Sequence, residues 1–191
     1  QEKLNDIIFP KNKYFLAIGR LTKQKNFLFL IDCFVDLIKE YPNLKLFIIG
    51  KGEDEKKIKN AIKENSLENN VILLGYQKNV FKFLKNCHAF ILSSLWEDPG
   101  FVLIEAMMSN ALVLSSDCPN GPKEILGKTN GILFKNDSKN DFISKFKYLI
   151  NLDKSEKNKV IYNAKKQVKT YSIFSHYKQL KKLLENQDSS I

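Results

Sequence analysis

The sequence is short of several things, and each shortage excludes something. Cysteine occurs three times in 191 residues, at Cys33, Cys87 and Cys118. They are odd in number and widely spaced, and no CxxC pair occurs, which argues against a disulfide framework. Histidine occurs twice, as His88 and His176, far apart in the chain. With the cysteines so scattered, no metal site is expected, and the cysteines read as reduced thiols of a cytoplasmic protein, two of them packed in the core. No run approaches about 18 uninterrupted apolar residues, so no membrane span is expected. The opening QEKLNDIIFPKNK lacks the charged-then-apolar order of a signal peptide and reads as a lead-in or as a linker from a longer chain. There is no internal repeat, low-complexity segment or long interior linker, and the length suits a single domain over 1–191.

Arginine is the scarcest charge. The formal net charge is +10, yet all but one of the 31 basic residues are lysine. A Lys-, Asn- and Ile-rich composition fits AT-rich coding, so much of the lysine excess carries little functional meaning. The lone Arg20 carries more, because a planar fork of donors grips a phosphate in a way lysine does not copy. Charge of this sign admits nucleic acid, an anionic membrane surface or anionic small molecules as partners.

What is present is an alternation. Apolar runs fall at 14–19, 44–50, 70–75, 88–94, 111–116 and 131–134, several ending in Gly or Ser. Their continuous hydrophobicity suits strands covered on both faces. Between them lie amphipathic helical patterns over 26–41, 54–65, 79–86, 101–109 and 139–151; Pro42 stops the first. Two charged helices are expected over about 155–186. The fold class is α/β, a doubly wound Rossmann-like parallel sheet with C-terminal helices.

In such a sheet, ligands collect beyond the carboxyl ends of the strands where strand order reverses. With the order 3-2-1-4-5-6, the first and fourth strands are neighbours there. The segment Gly19-Arg20-Leu-Thr-Lys-Gln-Lys25 would then face Glu97-Asp98-Pro99-Gly100-Phe101 across one crevice. The first side suits a diphosphate: Gly19 allows close backbone approach, Arg20 binds two oxygens, and Lys25 adds a mobile charge. On the second side, a helix starting near Phe101 offers unpaired N–H groups. Glu105, one turn in, can accept from both hydroxyls of a ribose, and Glu97 can do so for a sugar. Diphosphate donors beside diol acceptors describe a nucleotide sugar.

Four stretches carry a family likeness: AIGRLTKQKNFLFLIDCF (17–34), the Gly50-Lys-Gly52 turn with LENNVILLGY (67–76), SSLWEDPGFVLIEAMMSN (93–110) and ALVLSSDCPNGPKEILGKTNGILF (111–134). In order and spacing they resemble the C-terminal domain of the retaining GT-B enzymes called glycosyl transferases group 1, glycosyltransferase family 4, of the bacterial surface-polysaccharide type. The third stretch has that family's two glutamates with seven residues between them. The resemblance implies one half of a GT-B fold and a retaining hexosyl transfer from a nucleotide diphosphate sugar, UDP-sugar being favoured. The acceptor would be a glycan or lipid-linked, as in polysaccharide or lipopolysaccharide assembly.

On that likeness Arg20 and Lys25 neutralise the diphosphate, and Glu97 contacts the transferred sugar; these three are the candidate catalytic residues. Glu105 holds the ribose, Gly19 and the backbone of Gly100, Phe101 and Val102 meet the phosphates, and Tyr76 to Val80 are candidates for the nucleobase. No metal and no cofactor are implied. The family's other domain, with the acceptor site and a general base or nucleophile, would precede Gln1, and the isolated half would turn over little. The closing helix FSHYKQLKKLLE looks like the one that crosses back onto that domain. Where the family often has Glu-Gly-Phe-Gly, this chain has Glu97-Asp98-Pro99-Gly100. Its usual Asp at the start of the fourth strand is His88, which reads as structural.

Two rival readings remain. A dinucleotide-binding oxidoreductase needs GxGxxG after the first strand, but Gly50-Lys-Gly52 follows the second and position 55 is Glu. A basic α/β module for RNA or DNA would cluster its lysines with aromatics, and here they are scattered. The expectation is therefore no nucleic acid, a cytoplasmic location, and a peripheral contact of lysines in 154–169 and 178–182 with the anionic inner face of the membrane.

Overall fold

The computed structural model describes residues 14–188. Six strands form one sheet: β1 (Phe15–Ile18), β2 (Leu46–Ile49), β3 (Val71–Leu73), β4 (Ala89–Leu92), β5 (Leu112–Ser116) and β6 (Ile132–Phe134). All pairings are parallel and the order is β3-β2-β1-β4-β5-β6. Each expected apolar run thus supplies a strand, and β1 lies beside both β2 and β4. The sheet reverses direction of growth between β1 and β4.

Strand residues sort by parity into two cores, as the two-residue pleat requires. Phe15 and Ala17 of β1, with Leu46 and Ile48 of β2, face one layer. That layer is made by α1 (Phe27–Glu40), α2 (Glu55–Glu64) and α6 (Lys139–Asn151). Leu16, Phe47 and Ile49 face the other, where α3 (Phe81–Leu84), α4 (Phe101–Met108), α5 (Pro122–Leu126) and α7 (Lys154–Val168) pack. The first layer is aromatic-rich: Phe15 and Phe146 rings lie 4.6 Å apart, and Phe142 meets Phe134 edge-on at 5.1 Å. Phe34, Phe142 and Phe146 are fully buried, and truncating any one to Ala would cost about 3–5 kcal/mol. The chain ends in α8 (Ile173–Asp188) after a 3-10 turn at Lys169–Tyr171.

One element escapes periodicity. Helix α5 has five residues, too few to show a helical stripe, and its only signal is Pro122 in its first turn. The three cysteines are free, Cys33 and Cys118 buried and Cys87 half-buried. Burial pushes the thiols of Cys33 and Cys87 up to about 12, so both are poor nucleophiles. His88, at the foot of β4, donates its backbone N–H to Tyr14 O (2.7 Å) and packs its ring edge-on to Phe15 at 5.2 Å, a place in the core wall.

Candidate donor site

The loop after β1 is laid down on the loop after β2. Gly19 N donates to Ile49 O (3.0 Å), Leu21 N to Lys51 O (3.0 Å), and Asp54 N to Leu21 O (2.9 Å). A Cβ at Gly50 would stand 1.9 Å from Gly19 O, and one at Gly52 would stand 2.3 Å from Leu21 O. Both glycines exist so that this backbone can lie on them. The Gly50-Lys-Gly52 turn is therefore a seat for the β1 loop.

Gly19 has the corresponding role towards a side chain. Its missing Cβ would meet Cγ, Cδ and Cε of Lys25 at 3.1 Å, so the lysine stem lies across it. The stem carries Lys25 Nζ to within 2.6 Å of Glu97 Oε1, with only 15% and 5% of the two side chains exposed. Expected to be a mobile charge, Lys25 is instead held. The pairing follows from how tightly the β1 and β4 loops are stitched. Leu95 N donates to Gln24 O (2.8 Å), Gln24 Nε2 to Trp96 O (3.0 Å), and Ser93 Oγ to Lys25 O (2.8 Å). From the β6 side, Asn136 Nδ2 donates to Leu95 O (2.9 Å), and Asn26 Nδ2 to Asp137 Oδ1 (3.1 Å).

Glu97 is 4% exposed, and its Oε1 also accepts from Ser94 Oγ at 2.5 Å. Ser94 in turn is fixed from β5, since Ser116 Oγ donates to Ser94 O at 2.6 Å. Gly100, at φ +85°, caps α4 and lies against Glu97; a Cβ there would be 3.4 Å from Glu97 Cγ. Helix α4 begins at Phe101 as the sequence predicts; Leu103 N donates to Gly100 O (2.9 Å), so the N–H groups of Phe101 and Val102 are the ones that lack intrahelical acceptors. The Val102 side chain packs into the core, which leaves only its backbone for a ligand.

Arg20 is exposed and forms no ion pair among the described residues. It borders a cleft of about 400 Å³ lined also by Ile18, Gly19, Gly50, Tyr76, Gln77 and Val80. Tyr76 is 69% exposed, while Gln77 is buried and anchored through Nε2 to Leu74 O (2.8 Å). Glu105 stands apart. It is half-buried on α4, its carboxylate makes no hydrogen bond or ion pair with any described residue, and burial raises its pKa above the usual glutamate range. Phe101 is 67% exposed and lines a separate groove with Tyr171 and Ile173.

The structure thus brings together Gly19, Arg20, Tyr76 and Val80 at one cleft, and Lys25, Glu97 and Gly100 in one contact. Sequence reasoning passed over Ser94, Ser116, Gln24 and Asn136. A signal existed for the first two: β4 runs into Ser93-Ser94 and β5 ends in Ser115-Ser116, four buried hydroxyls at one sheet edge. Several lysines are committed to internal pairs, among them Lys139 with Asp32 and Asp36, and Lys147 with Glu40.

The doubly wound parallel sheet with helices on both faces is an α/β Rossmann-like fold that matches solved GT-B glycosyltransferases. The chain belongs to the family Glycosyl transferases group 1, whose model matches residues 2–167. It is 49% identical over 125 residues to an uncharacterized glycosyltransferase of Methanocaldococcus jannaschii, covering 65% of this chain and 31% of that one. It is 34% identical over 158 residues to a Campylobacter jejuni transferase, covering 82% of this chain and 42% of that one. That relative is named N-acetylgalactosamine-N,N'-diacetylbacillosaminyl-diphospho-undecaprenol 4-alpha-N-acetylgalactosaminyltransferase. The fold matches a mutant of S. aureus TarM, solved with fondaparinux, alpha-GlcNAc-glycerol and UDP. The TM-score is 0.81 at 28% identity, over 91% of this chain and 36% of that one. The chain therefore spans less than half the length of these relatives.

Proposed function

We propose that this domain holds the nucleotide diphosphate sugar, a UDP-sugar, of a retaining glycosyltransferase. The acceptor is a glycan or a lipid-linked saccharide of surface polysaccharide or glycoconjugate assembly, and its site lies on the rest of a longer chain. The observation that carries the proposal is the Lys25–Glu97 contact at the switch point; Arg20, with no ion pair among the described residues, follows Gly19, across which the Lys25 stem lies. UDP in the TarM complex and the diphospho-undecaprenol saccharide in the name of the C. jejuni relative support the donor and acceptor classes.

The base stacks in the cleft near Tyr76 and Val80, and Glu105 accepts from the ribose diol. Arg20 and the N–H groups at the start of α4 take the diphosphate. Lys25 has three ammonium protons and one side-chain acceptor among the described residues, so it bridges Glu97 and a phosphate oxygen. In the reaction, the acceptor oxygen bonds to the anomeric carbon as the bond from that carbon to the phosphate oxygen breaks. The electron pair leaves with the nucleotide, and the acceptor proton passes to the departing phosphate on the same face. Charge grows on that phosphate in an oxocarbenium-like transition state, where Arg20, Lys25 and the α4 dipole stabilise it without a metal. Lysines of α7 and α8 give an anionic membrane face a peripheral contact. Among the described residues no helix is long and apolar enough to cross a membrane.

Calorimetry with UDP, GDP, ADP and their sugars tests the reading. UDP-sugars should bind with or without EDTA, and Glu105→Ala should weaken them. Equal binding of every nucleotide to wild type and variant would sink it.

A further inference from the structure

Resting on that donor-site reading, we infer that Ser94 is a positioning residue that decides which oxygen of Glu97 meets the transferred sugar. Glu97 sits in a loop, beyond the end of β4, where a glutamate has several rotamers open to it. Two donors converge on one of its oxygens: Lys25 Nζ at 2.6 Å and Ser94 Oγ at 2.5 Å, both on Oε1. The Lys25 stem is held across Gly19, but its ammonium, with three protons, serves whichever carboxylate oxygen faces it. Ser94 does not. Its side chain is short, the residue is 0% exposed, and its own carbonyl is held by Ser116 Oγ at 2.6 Å, also from a 0% exposed residue.

A serine hydroxyl has one proton to give. Ser116 gives its proton to the Ser94 carbonyl and Ser94 gives its own to Glu97, so the series runs one way from β5 to the carboxylate. Oε2 keeps no hydrogen-bond partner among the described residues. On its side stands Gly100, where even a Cβ would come within 3.7 Å of Oε2. The carboxylate therefore has one oxygen met by two protein donors and one left for a hydroxyl, with Gly100 beside it. A nucleoside diphosphate has no hydroxyl to place there, and the sugar of a nucleotide sugar does.

The test separates these two ligands. UDP and the tightest-binding UDP-sugar are titrated calorimetrically into wild type and Ser94→Ala, with Tm followed in parallel. The preference for UDP-sugar over UDP should fall about fivefold, roughly the worth of one hydrogen bond, while UDP affinity stays within about twofold. Ser94→Cys, nearly isosteric and a weak donor, should fall in the same direction and carries the test where the alanine variant does not fold. An unchanged preference, or equal losses for UDP and UDP-sugar, overturns the positioning role. Wild type that binds no nucleotide at all overturns the donor-site reading first, and this inference with it.

Discussion

The ammonium of Lys25 lies 2.6 Å from Oε1 of Glu97, joining two loops 72 residues apart in sequence across the crevice between β1 and β4. Both side chains are mostly buried, so each ion is tolerated because of the other. Lys25→Ala should leave an uncompensated carboxylate and cost about 3 kcal/mol of stability. The double change Lys25→Met with Glu97→Gln removes both charges and should recover most of that loss. Donor binding should stay weak in both. Urea unfolding and calorimetry on the same samples check the two halves; a double variant no more stable than Lys25→Ala would contradict the pairing argument.

Arg20 presents the opposite case. It is exposed and forms no ion pair among the described residues, so the fold does not depend on it. Arg20→Lys keeps the charge and loses the planar fork. Stability should stay within about 0.5 kcal/mol of wild type, as for other surface changes. UDP affinity should fall about tenfold through loss of the bidentate geometry. Unchanged UDP affinity would place the diphosphate elsewhere.

The strand order and the two sides of the crevice are legible in the sequence because they rest on long-range regularities. Six apolar runs and the helical stripes between them leave few right-handed ways to wind a sheet. The Lys25–Glu97 pairing is not legible, since it depends on single backbone states such as Asn26 at φ +51° and Gly100 at φ +85°. A lysine read as a free cation becomes a committed one once those turns are made. Ser94 and Ser116 are hidden for another reason: a serine at a strand end is a turn former as often as a buried donor, and only packing separates the two.

Gly50 shows the same limit from the other direction. In the sequence it belongs to a Gly-x-Gly turn, a common phosphate-loop signal, and in the fold its absent side chain is where Gly19 O lies. Gly50→Ala should therefore destabilise the domain by about 1–3 kcal/mol, through both the clash and a φ of +151°. The loss should appear in Tm before any ligand is added. A variant with wild-type Tm and impaired UDP binding would return the turn to a phosphate-binding role.

Glu105 supplies a pH dependence whose sign can be worked out. Burial raises its pKa in the folded state above the ordinary glutamate value, and no partner offsets this. The folded state then holds the proton more tightly than the unfolded chain, so the charged form costs stability at pH values above the folded pKa. Glu105→Gln should raise Tm at neutral pH, and the gain should fade as pH drops through that raised value and vanish below the unfolded one. Binding should respond in the opposite sense, because the carboxylate is the form that accepts from two hydroxyls at once. Comparing UDP with an analogue that lacks the ribose diol cancels titration of the diphosphate itself. The wild-type preference for UDP should shrink as pH falls through the raised pKa, and in Glu105→Gln it should be small and flat. A variant stabilised at neutral pH that keeps the full, pH-dependent preference would mean that Glu105 is buried for packing and the ribose is held elsewhere.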